Sequence, residues 1–409
     1  MEQIISSLLT NDLYKFSMGK VIYDQFPNYR NQWDFKCRNK NVKFTSKDLD
    51  NIIRNIDSYC NLKFTEDELS YLNSIDWLRG TKSADQEGTY ISFLRNWRPR
   101  IEDFTVLPIG DCGLSITTKG SWLNISMYEM PILSIVSEVY FRNHYDYNDL
   151  FAEFKNRLED KTAKLIDGTY QIGAFSEFGL RRRLSGEAQN YLVEKLVNLP
   201  KSDNYKFVGT SNVYLARKYG IKPIGTMAHE FVINVGQGNL KHNPAYSNWY
   251  AMDSWVKEYG ILNGTYLTDT IGDECCKLDM GLTFSTLFSG VRHDSGDPYE
   301  WGDSWIDHFK KLGIDPKTKT LLFSDSLNFE KTTAIYKYFK DRAKVAFGIG
   351  TYLANDTNVD PLNIVCKVAN VNGHNVAKLS NVEGKTMCRS PEYVKYLQKT
   401  IAWRLDNEE

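Results

Sequence analysis

The stretch GTMAHEF, Gly225 to Phe231, places a single histidine beside a turn of small residues, with Thr226 three positions ahead of it. An imidazole nitrogen is unprotonated near neutral pH. His229 therefore suits proton transfer as general acid or base, or nucleophilic capture of a phosphoryl group. A lone histidine is more often a hydrogen-bonded structural residue, so the surrounding chemistry decides. VRHDSGDP, 291–298, follows the apolar end of a strand with Arg292, His293, Asp294 and Asp297, where unpaired charge is costly. Arg292 suits an anionic group held by paired hydrogen bonds. Asp294 and Asp297 suit a sugar hydroxyl, a magnesium ion carrying pyrophosphate, or a developing positive charge.

Three further stretches repeat the pattern of polar residues after an apolar strand. AFGIGT, 346–351, sets Gly348 and Gly350 at alternate positions before Thr351. The missing Cβ atoms let backbone N–H groups approach a phosphate, and the threonine adds a hydroxyl. FSDSLN, 323–328, brings Ser324, Asp325 and Ser326 ahead of a helix, and GTSN, 209–212, is a similar turn. Both also read as helix N-caps. SEFGLRRRLS, 176–185, adds Arg181, Arg182 and Arg183 in succession, of which one or two would face a cleft while the rest are solvated.

Positioning such loops together requires a particular scaffold. From about residue 140 the chain alternates short apolar strands, polar loops and helices, in about seven units that begin near 172, 205, 221, 264, 288, 319 and 344. That alternation predicts a parallel sheet joined by crossover helices, and so many units in this length favour a closed or irregular (β/α) barrel. In a barrel the loops at the carboxyl ends of the strands share one face. Ahead of it, SLLTNDLYKFSMGKVIYDQF predicts a helix capped at Thr10 or Asn11 with one buried face. Tyr14 lies near its start, for packing or for a ligand. Alternation from Arg30 to Arg38 predicts a strand, and helices follow near 46–59 and 66–74. NIVCKVANVNGHNVAKLS predicts a hairpin turning at Asn372-Gly373, and a last helix covers about 391–404. The expected division is an α+β sandwich domain of 1–135 plus 360–409, with the tail returning to it, and a barrel domain of 136–359.

Composition narrows the function classes. With 50 basic against 51 acidic residues, nothing asks for nucleic acid as a partner. MPILSIV, the most apolar short run, is too short to span a bilayer, so no membrane is expected and a cytoplasmic location is. Seven scattered cysteines without a CxxC pair predict reduced thiols.

Seven motifs in one order, TNDLYKFSM, FGLRRR, FVGTSN, IGTMAHEF, VRHDSGDP, LFSDSLN and FGIGT, resemble those of the bacterial and yeast nicotinate phosphoribosyltransferase family over most of the chain. The resemblance implies a small α+β sandwich beside an irregular barrel of the nicotinate/quinolinate phosphoribosyltransferase type. It implies transfer of a phosphoribosyl group from 5-phosphoribosyl 1-diphosphate to nicotinate, giving nicotinate mononucleotide and pyrophosphate for NAD biosynthesis. ATP would be a co-substrate, Mg2+ would travel with pyrophosphate, and His229 would be phosphorylated transiently. By the same resemblance Tyr14, Thr226 and Arg292 hold nicotinate, with Arg181 assisting, and Thr351 holds the donor. The glycines and Ser324 add a reading of Ser324, Gly348 and Gly350 around its 5-phosphate, and Asp294 is assigned to steadying the transition state. A homodimer is possible. A transferase for nicotinamide or quinolinate, a non-catalytic sensor and a histidine phosphocarrier are the competing readings.

Overall fold

The computed structural model describes residues 3–79, 88–110, 113–262, 264–379, 386 and 388–408. In the first domain β1 (Arg30–Cys37) alternates as expected, burying Asn31, Trp33 and Phe35 on one side. Beside it run β2 (Phe104–Ile109) and β3 (Gly113–Ser121) on one edge, and β11 (Ile364–Val371) and β12 (His374–Asn375) on the other. All pairs are antiparallel, in the order β12-β11-β1-β3-β2. The hairpin turns at Asn372 (φ 50°) and Gly373 (φ 88°), the left-handed pair that a two-residue turn requires. Helices Ser46–Cys60 and Glu66–Ser74 match their expected positions, each opened by a threonine and an acid three residues on that cap one another.

The second sheet holds seven strands: β4 (Gly173–Glu177), β5 (Tyr205–Thr210), β6 (Lys222–Pro223), β7 (Thr265–Leu267), β8 (Gly290–His293), β9 (Thr320–Phe323) and β10 (Lys344–Ile349). Every pair is parallel, and β10 returns to β4. The seven expected units are thus present, curled in chain order into an irregular barrel with one open seam, between β6 and β7. Both seam strands are very short, and Pro223 lacks the N–H that a ladder would use. The Thr226 hydroxyl crosses this seam, donating to the carbonyl of Thr265 at 2.8 Å.

Two expectations change. The helix Leu13–Gln25 begins after Asp12 rather than Thr10 or Asn11, and it is buried on every side rather than one. Both domains pack on it: Phe64 meets Phe16, and Tyr259 donates to the Ser17 carbonyl at 2.6 Å. The hairpin of the tail does return to the first domain, but the last helix, Pro391–Asn407, does not. Its stripe Leu397 and Ile401 joins Ala245 and Cys275 on outer helices of the barrel and Ile271 in the loop after β7. There Arg404 reaches the buried Asp279 at 2.7 Å, supplying the charge that carboxylate needs. The six described cysteines are unbonded, and Cys112 lies outside the described residues. Among the described residues no helix is long and apolar enough to cross a membrane.

Candidate active site

A cleft of about 620 Å³ opens where the carboxyl ends of the barrel strands face the first domain. Helix His229–Gln237 starts at its rim, and the turn before it depends on Gly225, where a Cβ would stand 3.1 Å from the backbone nitrogen of Tyr14. His229 Nδ1 lies 3.0 Å from Thr270 Oγ1, and Nε2 lies 3.1 Å from Asp294 Oδ2 and 2.9 Å from Lys378 Nζ. Lys378 also donates to Asp269 at 2.9 Å. The other oxygen of Asp294 accepts from Arg292 at 3.0 Å and from Ser324 Oγ at 3.1 Å, and Arg292 Nε reaches Ser324 at 2.8 Å. His229, Asp294, Arg292 and Ser324, from two strand ends and a helix start, therefore form one continuous chain of contacts.

The charges in this chain are set by competition. Burial disfavours an ionised Asp294, but Arg292, His229 and Lys378 outweigh it and hold the carboxyl well below the usual range. Burial and the neighbouring Lys378 push His229 down, against Asp269 and Asp294. The balance disfavours the charged imidazolium. Burial also opposes the charge on Asp269, and His229 with Lys378 reverses that effect.

The other end of the cleft is cationic. Arg181 and Arg182 line it, while Arg183 turns inward to Gln189 and the Ile4 carbonyl. Among the described residues no carboxylate lies within ion-pair distance of Arg181. Arg182, held by the Ile364 carbonyl and Asn363, is lowered to about 9 by burial and then by Arg181 and Arg38. Lys367 on β11 is lowered to about 7 by burial, Arg38, Lys378 and Arg181. Tyr14 also lines the cleft, with its hydroxyl 3.8 Å from Met130 Sδ. Gly348 and Gly350 lie on its floor with Thr351, and a Cβ on Gly348 would strike the Phe178 ring at 2.5 Å. Arg292 in turn sits 5.9 Å from the centre of that ring. Ser326, at φ 49°, holds a conformation rare for a non-glycine residue, at the lip of the cleft.

Tyr14, Arg181, His229, Arg292, Asp294, Ser324, Gly348, Gly350 and Thr351 are brought together as the sequence suggested. Thr226 and Asp297 are not among the lining residues. The first stitches the barrel seam, and Asp297 caps the helix Pro298–Lys311 by accepting from Tyr299 and Glu300 N–H groups. His293 faces inward against Trp301 and Phe323. Sequence reasoning missed Asp12, Arg38, Glu129, Asp269, Lys367 and Lys378. Of these only Asp269 carried a signal, as the acid of a strand-end TDT.

His229, Asp269 and Asp294 bring ligand atoms within 4.8 Å of one another, a spacing that suits a metal ion. The Lys378 ammonium already stands between His229 and Asp269, and Ser295 donates to the same Asp269 oxygen at 2.6 Å. The other Asp269 oxygen has no hydrogen-bond partner, but the lysine's positive charge lies between His229 and Asp269 and disfavours a resident cation there.

Strand-end loops on one rim of a parallel barrel, with cations and glycines facing a polar cleft, define an α/β-barrel enzyme of phosphorylated small molecules. The chain belongs to the nicotinate phosphoribosyltransferase (NAPRTase) family: its family model matches residues 174–404, and the model of the family's N-terminal domain matches 9–137. It is 39% identical over 403 residues to a nicotinate phosphoribosyltransferase of Cupriavidus necator, covering 98% of each chain. Among solved structures, that from Porphyromonas gingivalis is 31% identical with a TM-score of 0.87, covering 98% of this chain and 100% of that one. The Vibrio cholerae enzyme is 30% identical with a TM-score of 0.88, covering 98% and 94%.

Proposed function

We propose that this protein joins nicotinate to the phosphoribosyl group of 5-phosphoribosyl 1-diphosphate, giving nicotinate mononucleotide and pyrophosphate in NAD biosynthesis. The observation that carries it is a single cleft lined both by an ionised, hydrogen-bonded Asp294 and by the arginine pair Arg181 and Arg182. The nicotinate carboxylate pairs with Arg181, and its flat ring packs on Tyr14. Gly348, Gly350, Thr351 and Ser324 receive the 5-phosphate. The ring nitrogen's lone pair forms the bond to C1 as the bond to pyrophosphate breaks. Asp294 faces the positive charge that develops between the two. Mg2+ arrives with the diphosphate rather than on protein ligands.

ATP is a co-substrate in this reading. Its γ-phosphoryl group passes to His229, whose neutral ring suits nucleophilic attack. A phosphohistidine adds charge and acceptors at the rim, which shifts loop and substrate equilibria. The enzyme works in the cytoplasm, and a homodimer is compatible with it.

Pyrophosphate release with nicotinate, nicotinamide and quinolinate, with and without ATP, tests the reading. Nicotinate is expected to be strongly preferred, and equal turnover of nicotinamide would overturn the role of Arg181. His229→Ala is expected to abolish ATP stimulation yet leave slow transfer. A folded variant without any transfer would give His229 a direct role instead.

A further inference from the structure

The glycine cradle after β10 runs straight into a very short helix, Thr351–Ala354. A single turn closes too few hydrogen bonds to hold its own conformation, so the shape of the cradle depends on what grips this segment from outside. One grip comes from the arginine turn. There the Leu184 N–H donates to the Ala354 carbonyl at 3.0 Å, and Asn355 Nδ2 donates to the Arg182 carbonyl at 3.0 Å. Gly179 lies against Ala354, where a Cβ would stand 2.2 Å from the alanine methyl.

The second grip comes from the long helix Tyr147–Ile166, none of whose residues lines the cleft. Lys161 and Arg157, four residues apart on one face, reach across to the cradle segment together. The Lys161 ammonium donates to the Tyr352 carbonyl, pairs with Asp356 Oδ2 at 2.5 Å and lies 3.8 Å from the centre of the Tyr352 ring. Arg157 takes the other Asp356 oxygen at 2.9 Å and is itself held by Glu153 at 2.7 Å. The Lys161 side chain is only 8% exposed, and burial opposes its charge while Asp356 supports it. A lysine that merely solubilised its helix would stand in water; this one is committed to residues 352–356.

We propose that Lys161, with Arg157 beside it, is a positioning residue for the phosphoribosyl donor: from behind the cleft it fixes residues 350–356 in the shape that receives the 5-phosphate. The inference rests on the assignment of that phosphate to Gly348, Gly350 and Thr351. Two effects combine in the brace. The ammonium satisfies one of the carbonyls that so short a helix leaves open, at the end where its dipole is negative. The two cations also cancel the charge of Asp356, which lines the cleft and would otherwise repel a phosphate.

The test follows pyrophosphate release by full-length variants, with amide hydrogen exchange read in parallel. Lys161→Met is expected to raise the KM for the donor about tenfold, while kcat and the KM for nicotinate stay within about twofold. Exchange is expected to quicken across 350–356 and to stay unchanged in β1. Lys161→Arg, which keeps the charge and a donor, is expected to recover most of the loss. Arg157→Leu, at the more exposed end of the brace, is expected to give the same pattern at about threefold, and it carries the test should Lys161→Met not fold. Thr351→Val separates the brace from the assignment beneath it. A donor KM raised by Thr351→Val but by neither brace variant overturns the brace and leaves the cradle assignment standing. A donor KM unchanged by Thr351→Val removes that assignment, and the donor role of Lys161 with it. A fall in kcat with a rise in both KM values would make Lys161 a general structural residue and overturn the proposal as well.

Discussion

The two ends of the cleft handle charge in opposite ways. At the rim of β7, β8 and β9, Asp269, Asp294, Arg292, His229 and Lys378 are bonded to one another, and each carboxylate is held below its usual range by cations that outweigh its burial. Elsewhere in the cleft Arg38, Arg182 and Lys367 are all pushed down by burial first and then by Arg181 and other neighbouring cations. The first end is complete without a ligand. The second gathers cations whose charge burial opposes, and an anionic ligand would favour them. A preorganised network and a cationic lining thus share one cleft, and a substitution in each tests whether they can be broken separately.

The largest effect is expected at the complete end. Asp294→Asn keeps the shape but removes the charge that Arg292 and His229 share, so kcat is expected to fall about a thousandfold, on the order of 4 kcal/mol. Nicotinate affinity, measured by calorimetry, is expected to change little. A matching loss of affinity would mean that the two ends are not separable. At the other end Arg181→Leu is expected to raise the KM for nicotinate by about 10- to 100-fold, as befits a charge-assisted hydrogen bond, with kcat much less affected.

The sequence disclosed the complete end better than the cationic lining. Chemistry concentrated in strand-end loops is local, so RHDSGDP, FSDS and GTMAHEF could be read as one rim once the βα rhythm placed them on the same face. Lys378 and Lys367 look like the polar positions of an ordinary hairpin, and Asp12 and Glu129 look like helix-start acids. They reach the cleft only because the first domain packs on the barrel. The seam was equally hidden, since strands of two and three residues carry no periodicity. The cap of the first helix was misplaced because the Asp12 carboxylate accepts from Ser211 at 2.6 Å instead of capping its own helix.

A pH experiment sharpens the contrast. The Lys367 ammonium is disfavoured in the folded protein, so between the ordinary lysine range and about pH 7 the unfolded chain binds more protons. Stability of the ligand-free protein therefore rises with pH across that window and is flat with respect to this group below it. An anion in the cleft favours the ammonium and raises its pKa, so binding takes up protons above pH 7 and weakens as pH rises. Calorimetry in buffers of different ionisation enthalpy is expected to reveal this uptake with the phosphoribosyl donor and to lose it in Lys367→Met. Uptake unchanged in that variant would place the titrating group elsewhere.

The smallest effect concerns the seam. Thr226→Val is nearly isosteric but leaves the Thr265 carbonyl without its donor, which costs about 1 kcal/mol, while Thr226→Ser keeps the bond. The seam lies under the complete end, because the loop after β6 carries His229 and the loop after β7 carries Asp269 and Thr270. Loosening it shifts His229 Nδ1 relative to Thr270 without touching Arg181. Thr226→Val is therefore expected to weaken ATP stimulation about threefold at unchanged KM for nicotinate, with Thr226→Ser close to wild type. A rise in that KM instead would mean that the hydroxyl reaches the ligand directly, as the sequence resemblance implied, and that the seam opens when substrate binds.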